Sequence, residues 1–512
     1  MRFKLKGYVT FSDGLEKAKV DIKEFMTQAN AKLLTKGIPK DKIDEAAKIV
    51  DWKIKGSKLS LNVESGRFVR AHTAILRIHK AIAALLGSKY KIGARKIFVD
   101  EYVIEIPLER SLEVKLPSLP YVSEITVAPD SIVMRFKNLD ESVLRGYEID
   151  RVIRLVQSFA LPSLIERATK TAPGTIVSKS KPRTVKFSGD PTQTSFELGW
   201  IEEYPGKGQY FYTAPLTKLF RVIEGILIEE VGAKLGFQEC LFPKLIPLEI
   251  MDKMRYLEGI CEGMFYVSSP KRDPKLFEEV KTKLFVTRKI PYDLLRKGLK
   301  SPGYALAAAQ CEPFYQYLSG KTLRKEKLPI KFMDHSGYTW RYEAGGAKGL
   351  ERVFELQRIE LVWAGTPKMV EEIRDQTLKG SERVADEILE LEWWTEVGDD
   401  PFYLVGRYAE DRDIELPDIP KYEIRVTLPY RSTPEKKESM AIASCNVHGQ
   451  HYVKGFSTKL ETKEPVWTGC TGLGTTRWLA GFLAQHGFNP EDWPEKVRKM
   501  IDPLPTPPEV SA

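Results

Sequence analysis

Among its 512 residues the chain has no run of about twenty apolar residues, the length a helix needs to cross a bilayer, so a helical membrane span is excluded. An apolar signal region is also missing. Met1-Arg2-Phe3-Lys4-Leu5-Lys6 leads into an alternating pattern, so export is not expected and a cytoplasmic location is. Cysteine is scarce, with five residues at Cys240, Cys261, Cys311, Cys445 and Cys470. An odd, widely spaced set in a reducing compartment argues against a disulfide framework. Without a Cys-x-x-Cys pair, any zinc site has to be assembled from distant segments. There is no internal repeat, and neither sign of charge dominates: the net charge is +9, compatible with a nucleic-acid partner but not requiring one.

What is present suits two or three domains. Residues 1–165 read as a compact α+β unit. Phe3–Thr10 alternates like a strand, Gly14–Leu34 has helical spacing, and Trp52–Val63 resembles a hairpin with one polar face. Val69–Leu86 is an amphipathic helix, Lys96–Ile106, Glu113–Leu116 and Ser123–Phe136 are further strands, and Asp140–Phe159 is a helix leading out. Arg67, Arg70, Arg77, Lys80, Lys89, Lys91, Arg95 and Lys96 form either a solvated face or a phosphate-tracking patch. Residues 166–197, polar and aperiodic over Ala172–Thr194, are expected to be a linker. A larger domain spans 198–500, with a helix-turn-helix-like insertion at about 274–301, and 501–512 is a proline-rich tail expected to fray.

Three segments in the large domain carry chemistry. The amphipathic helix Leu216–Leu235 runs into Gly236-Phe237-Gln238-Glu239-Cys240-Leu241-Phe242-Pro243, a glycine stop followed by a strand closed by proline. Tyr338–Glu343 and Arg352–Trp363 alternate about a glycine-rich loop, as an antiparallel hairpin does, with Arg341 and Glu343 on one face. Thr468-Gly469-Cys470-Thr471-Gly472-Leu473-Gly474-Thr475-Thr476-Arg477 joins a cysteine to a Gly-x-Gly-x-x-Arg turn ahead of a helix. Glycines admit close backbone approach to a nucleotide, and an arginine opening a helix neutralises phosphate.

In this order the three resemble motifs 1, 2 and 3 of the class II aminoacyl-tRNA synthetases. The nearest resemblance is to the methanogen-type, zinc-dependent seryl-tRNA synthetases. It is carried by Ala309-Gln310-Cys311-Glu312-Pro313-Phe314, Glu355-Leu356-Gln357-Arg358-Ile359-Glu360, Ala443-Ser444-Cys445-Asn446 and Gly469-Cys470-Thr471-Gly472. The resemblance implies an α+β chain: an antiparallel catalytic sheet flanked by helices, and a separate N-terminal tRNA-binding domain. It implies serine activation by ATP to seryl-adenylate and transfer to tRNA(Ser), with tRNA(Sec) a further possible acceptor. A homodimer formed through the motif 1 region is implied as well.

Residue by residue, the resemblance implies one zinc per subunit on Cys311, Glu360 and Cys470, leaving a fourth position for the serine amino group. Arg341 would bind the α-phosphate and the serine carboxylate, Arg477 the γ-phosphate, and Arg352 the bent triphosphate. Glu343 would lie near adenine or the tRNA end, with Phe354 and Gly474 completing the ATP site and Mg2+ on the phosphates. Two positions depart from the family pattern. Leu356 stands where an aromatic often stacks on adenine, leaving Phe354 or Leu356 for that role. Met440-Ala441-Ile442-Ala443 lacks the glutamate that common seryl enzymes use for magnesium. Asn446 and Gln450 are candidates for the serine pocket or for structural hydrogen bonds. Trp393 and Trp394, before Gly398-Asp399-Asp400, either flank a loop over serine or pack in the core.

Rival readings fit less well. A threonyl-type synthetase uses one cysteine and two histidines, and none of the six histidines here lies at 360 or 470. An amino acid ligase acting on a carrier protein has no need of a large basic N-terminal domain. A catalytically dead paralogue has no reason to keep Arg341, Glu343, Arg352 and Arg477 together.

Overall fold

The computed structural model describes residues 1–108, 116–160, 171–342, 345–399, 401, 415–433 and 436–507. The chain divides into two compact units, Met1–Glu166 and Arg167–Ala512.

The first unit is a six-stranded antiparallel sheet in the order Lys48–Lys55, Lys58–Ser65, Arg2–Phe11, Ala94–Pro107, Ser131–Phe136, Val122–Val127. Strict alternation in the first strand buries Phe3, Leu5 and Val9 and leaves Arg2, Lys4 and Lys6 in water. Against the buried face lies helix Ala71–Tyr90, whose Ile75, Ile78, Ile82 and Leu86 repeat at helical spacing and are fully buried. The expected helix Asp140–Phe159 is two helices, Glu141–Arg145 and Glu148–Ala160. Asp140 caps the first by accepting from Val143 N at 3.0 Å, and Tyr147, at φ +62°, breaks the path. Of the expected strand Glu113–Leu116, Glu113 to Lys115 lie outside the described residues.

The second unit is built on an eight-stranded sheet in the order Gln238–Glu239, Ile330–Asp334, Ile359–Gly365, Trp467–Leu473, Ser439–Gly449, Lys421–Thr427, Trp393–Val397, Ile176–Lys179. Every pairing is antiparallel except the first, where Gln238 and Glu239 run parallel to Phe332 and Met333. All seven residues of Ile359–Gly365 and of Trp467–Leu473 are buried; helices Pro367–Arg383 and Thr475–His486 pack on the sheet, and Ala214–Leu227 packs in turn on Thr475–His486. Gly469 is needed there: a Cβ would fall 2.5 Å from the buried Trp363 ring. Helices Pro274–Thr287 and Tyr292–Gly298 occupy the insertion between motifs 1 and 2.

The linker expectation is corrected. Ile176–Lys179 pairs with Trp394 to Glu396 at the sheet edge, and Pro191–Glu197 is a helix capped by Asp190. Between them Arg183 donates to Leu391 O at 3.1 Å and Asp386 O at 2.6 Å. An edge strand of four residues, three of them exposed, needs no apolar alternation, so its sequence resembles a connector. The tail is likewise packed as far as it is described: Leu504 lies against the core and Pro503 O accepts from Lys218 Nζ at 3.0 Å.

Candidate active site

Three strand ends converge on a cavity of about 360 Å³ on one face of the large sheet. Strand Tyr338–Trp340 pairs with Glu355–Gln357 and delivers Arg341, whose backbone N–H donates to Phe354 O at 3.1 Å. Strand Ile359–Gly365 delivers Glu360, opposite Asp334 on one side and Gly472 on the other. Strand Trp467–Leu473 delivers Cys470, opposite Asn446. Cys311 enters at the start of helix Glu312–Leu318, which is anchored by Glu312 Oε1 accepting from Ala308 N and Ala309 N at 3.0 and 2.8 Å.

The ligand atoms of Cys311, Glu360 and Cys470 lie within 4.8 Å of one another, and all three residues are buried. Glu360 is fully enclosed. One oxygen pairs with the Arg358 guanidinium, and the other, Oε1, has no hydrogen-bond partner among the described residues. Burial pushes the Glu360 carboxyl up to about 7 against the pull of Arg358. The two free thiols share a hydrogen bond, which favours the Cys311 thiolate and disfavours that of Cys470. Burial and the Glu360 charge then carry both thiols above the ordinary range, Cys470 furthest. Two thiols and a carboxylate crowded into a dry pocket resist ionisation unless a cation joins them. An orphaned carboxylate oxygen beside two buried sulfurs is a donor set that fits a three-ligand metal site with one open position.

His448 Nε2 lies 3.3 Å and Asn446 Nδ2 3.6 Å from Cys470 Sγ, and the Tyr256 hydroxyl lies 3.9 Å from Cys311 Sγ. Burial, with His451 adding to it, lowers His448 to about 3, so its ring is neutral. Gly472 leaves room for the Arg358–Glu360 pair: a Cβ there would stand 1.8 Å from Arg358 Nη2 and 3.1 Å from Glu360 Oε2.

Of the residues marked by the sequence, Arg341, Glu360, Asn446, Gly474, Arg477, Cys311 and Cys470 line this cavity together. Arg341 Nε donates to Ala308 O at 3.1 Å and Arg477 Nη1 to Ala441 O at 3.2 Å, which aims both guanidiniums. Arg477 follows Gly474 in the first turn of Thr475–His486, a helix N-terminus suited to anions. Three residues marked in the sequence are placed elsewhere. Phe354 is buried with Phe265 and Tyr342, ring centroids 6.4 and 5.1 Å away, while Leu356 lines the cavity. Gln450 stands at the N-cap position of the helix His451–Gly455, without a side-chain capping bond, and does not line the cavity, because the strand ends at Gly449. Arg352 stands in the motif 2 loop, where its guanidinium fills the space a Gly345 Cβ would need. Glu343 and Asp400 lie outside the described residues. Trp393 is a core residue, and Trp394 Nε1 donates to Glu396 at 2.7 Å.

Arg358, His448, Tyr256 and Glu423 also line the cavity and were not singled out by the sequence reading. For Arg358 a signal existed. It stands two residues before Glu360 on one strand path, so the two share a face. Glu423 stands opposite Ser444 and is the one carboxylate besides Glu360 among the described lining residues.

Known proteins agree with this architecture. Residues 1–158 match a tRNA-binding domain, and residues 299–486 match the tRNA synthetase class II core domain (G, H, P, S and T). A type-2 serine–tRNA ligase of Methanothermobacter thermautotrophicus is 47% identical over 510 residues, covering 99% of this chain and 98% of the relative. One from Methanocaldococcus jannaschii is 47% identical over 516 residues, covering 100% and 98%. Among solved structures, M. kandleri SerRS in complex with A. aeolicus tRNASec superimposes with a TM-score of 0.86 at 43% identity, over 99% of this chain and 98% of that one. The cytoplasmic serine–tRNA ligase of Naegleria fowleri shares the fold, with a TM-score of 0.52 at 16% identity over 70% and 71%.

Proposed function

The chain belongs to the type-2 serine–tRNA ligases, and from that premise we propose how its own residues divide the reaction and that the buried triad holds zinc. A serine carboxylate oxygen attacks the α-phosphorus of ATP, the bond from that phosphorus to the bridging oxygen breaks, and pyrophosphate leaves. The 2′- or 3′-hydroxyl of the terminal ribose of tRNA(Ser) then attacks the seryl carbonyl, releasing AMP. Neither step requires a covalent enzyme intermediate, so positioning and charge neutralisation carry the rate.

Arg341 lies where it can bridge the serine carboxylate and the α-phosphate, bringing nucleophile and electrophile together. Arg477, at its helix N-terminus, neutralises the far phosphate, and Arg352 reaches the triphosphate from the motif 2 loop. Leu356, lining the cavity, would form an apolar floor for adenine, and Glu423, the lining carboxylate outside the triad, is our candidate for holding Mg2+ on the phosphates. Glu343 keeps its proposed place beside adenine or the tRNA end. Cys311, Glu360 and Cys470 would hold zinc, which would supply an open position for the serine amino group. Asn446 then faces the serine side chain. The N-terminal unit is proposed to bind tRNA(Ser) and tRNA(Sec), the chain to act as a cytoplasmic homodimer through motif 1. No helix among the described residues is long and apolar enough to cross a membrane.

The convergence of Cys311, Glu360 and Cys470 carries the zinc reading. Serine-dependent pyrophosphate exchange, measured before and after chelation and on Cys470→Ala, tests it. The expected result is loss on chelation, recovery with added zinc, and a Cys470→Ala protein that zinc does not rescue. Activity indifferent to chelation would overturn the zinc assignment while leaving the ligase assignment intact.

A further inference from the structure

Gln310, the residue before Cys311, has φ +75° and is fully buried. That backbone region is costly for any residue with a Cβ, so it persists only where surroundings enforce it. The enforcing contacts come from its own side chain. Nε2 donates to the Asp334 carboxylate at 2.6 Å and to Asp334 O at 2.9 Å, and reaches Arg358 O at 3.5 Å.

Asp334 is itself fully buried and held from several directions. Lys244 pairs with Oδ2, while Oδ1 accepts from Phe242 N at 3.2 Å and from Ser336 Oγ at 2.5 Å. Asp334 also stands directly opposite Glu360 in the antiparallel register of Ile330–Asp334 with Ile359–Gly365. The amide of Gln310 therefore ties the chain bearing one member of the triad to the strand beside another. Hydrogen bonds confined to the core would account for burial alone. They do not account for a left-handed residue at the position next to a sulfur ligand.

We propose that Gln310, clamped by Asp334, is a positioning residue that sets the separation of Cys311 and Glu360 for metal binding. The proposal rests on the zinc reading above. Gln310 is not among the residues lining the cavity; it acts through the backbone of Cys311, as outer groups orient metal ligands elsewhere.

Full-length wild type, Gln310→Gly and Gln310→Glu are compared with the double variant Gln310→Glu/Asp334→Asn. Glycine accepts the positive φ, so its fold is expected to survive while the clamp is lost. Glutamate keeps the size but removes the N–H donors and sets two carboxylates together. Reversing donor and acceptor in the double variant restores one hydrogen bond. Zinc affinity is read by competition with a chelating dye, ligand geometry by the visible spectrum of the cobalt-substituted protein, and folding by thermal melting. Zinc affinity should fall about 10–100-fold in both single variants with an altered cobalt spectrum, and the double variant should recover part of the loss. Unchanged affinity and spectrum in Gln310→Gly and Gln310→Glu would overturn the proposal, as would a lowered melting temperature with unchanged affinity. A wild type that binds neither zinc nor cobalt would instead remove the zinc reading itself.

Discussion

At the scale of single residues, the site is organised by which side chains tolerate being dry. Cys445 is as buried as Cys470, yet it bonds toward Thr471 and Thr377 and is pushed up to about 11 by burial. It belongs to the packing between sheet and helix, outside the triad. Cys445→Ala is therefore expected to lower stability by about 1–2 kcal/mol and, under the zinc proposal, to bind zinc as the wild type does. Cys470→Ala should lose the metal, and metal analysis with melting curves separates the two. Gly472→Ala is the sharper case. The added methyl displaces the Arg358 guanidinium and breaks its pair with the buried Glu360. Breaking a buried ion pair costs about 3–5 kcal/mol. Serine-dependent pyrophosphate exchange should fall at least about a hundredfold, with kcat/KM for serine as the readout. Periodicity alone would place Cys311, Glu360 and Cys470 in the core, and they are in the core. Only their family resemblance marked them as a set, because the contacts joining them span about 50 to 160 positions of sequence and no local rule sees that distance. Arg358, by contrast, was readable from its spacing to Glu360.

At the scale of elements, the catalytic sheet is fastened by charges outside the active site. Glu230, in the π-helical turn Ile228–Ala233, is nearly buried and pairs with Lys234, Arg383 and Lys496. It thereby joins the motif 1 helix to Pro367–Arg383 and to the C-terminal helix Glu495–Ile501. The hydrogen bonds from Lys234 and then Lys496 lower its carboxyl to about 2 from an ordinary 4.5. A depressed folded-state value means stability present above pH 4.5 and lost as pH falls through about 2. Glu230→Gln should cost about 1–3 kcal/mol at pH 6, and the gap from wild type should narrow as pH drops below 4.5. Urea unfolding at both ends of that range measures it. An unchanging gap would contradict the assignment. Regular elements with one wet face were legible: Arg2–Phe11 and Ala71–Tyr90 follow their periods closely. The edge strand Ile176–Lys179 was not, because its partner, Trp393–Val397, lies more than two hundred residues away and its exposed residues carry no apolar pattern.

At the scale of the whole chain, each unit has its own core, and the chemistry sits in one of them. The cavity with Arg341, Arg477 and the triad lies wholly within Arg167–Ala512, while the 1–158 tRNA-binding match falls within Met1–Glu166. The eight basic residues noted in that unit are not equivalent. Arg70 pairs with Asp150, Arg77 donates to Leu33 O and Lys36 O, Arg67 faces Glu45, and Lys89 pairs with Asp21, so these four already have partners within the unit. Lys80, Lys91, Arg95 and Lys96 are exposed. Phosphate binding by such side chains releases counterions, so its loss shows in the salt dependence of affinity. Replacing Lys91, Arg95 and Lys96 together by glutamate should leave serine-dependent pyrophosphate exchange within about twofold, because that step needs no tRNA. Aminoacylation should show a KM for tRNA raised about tenfold or more, and the salt slope of tRNA binding should fall by about one per lost contact. Equal loss in both assays would mean the substitutions act through folding. No loss in either would move the tRNA contact to another face of the unit.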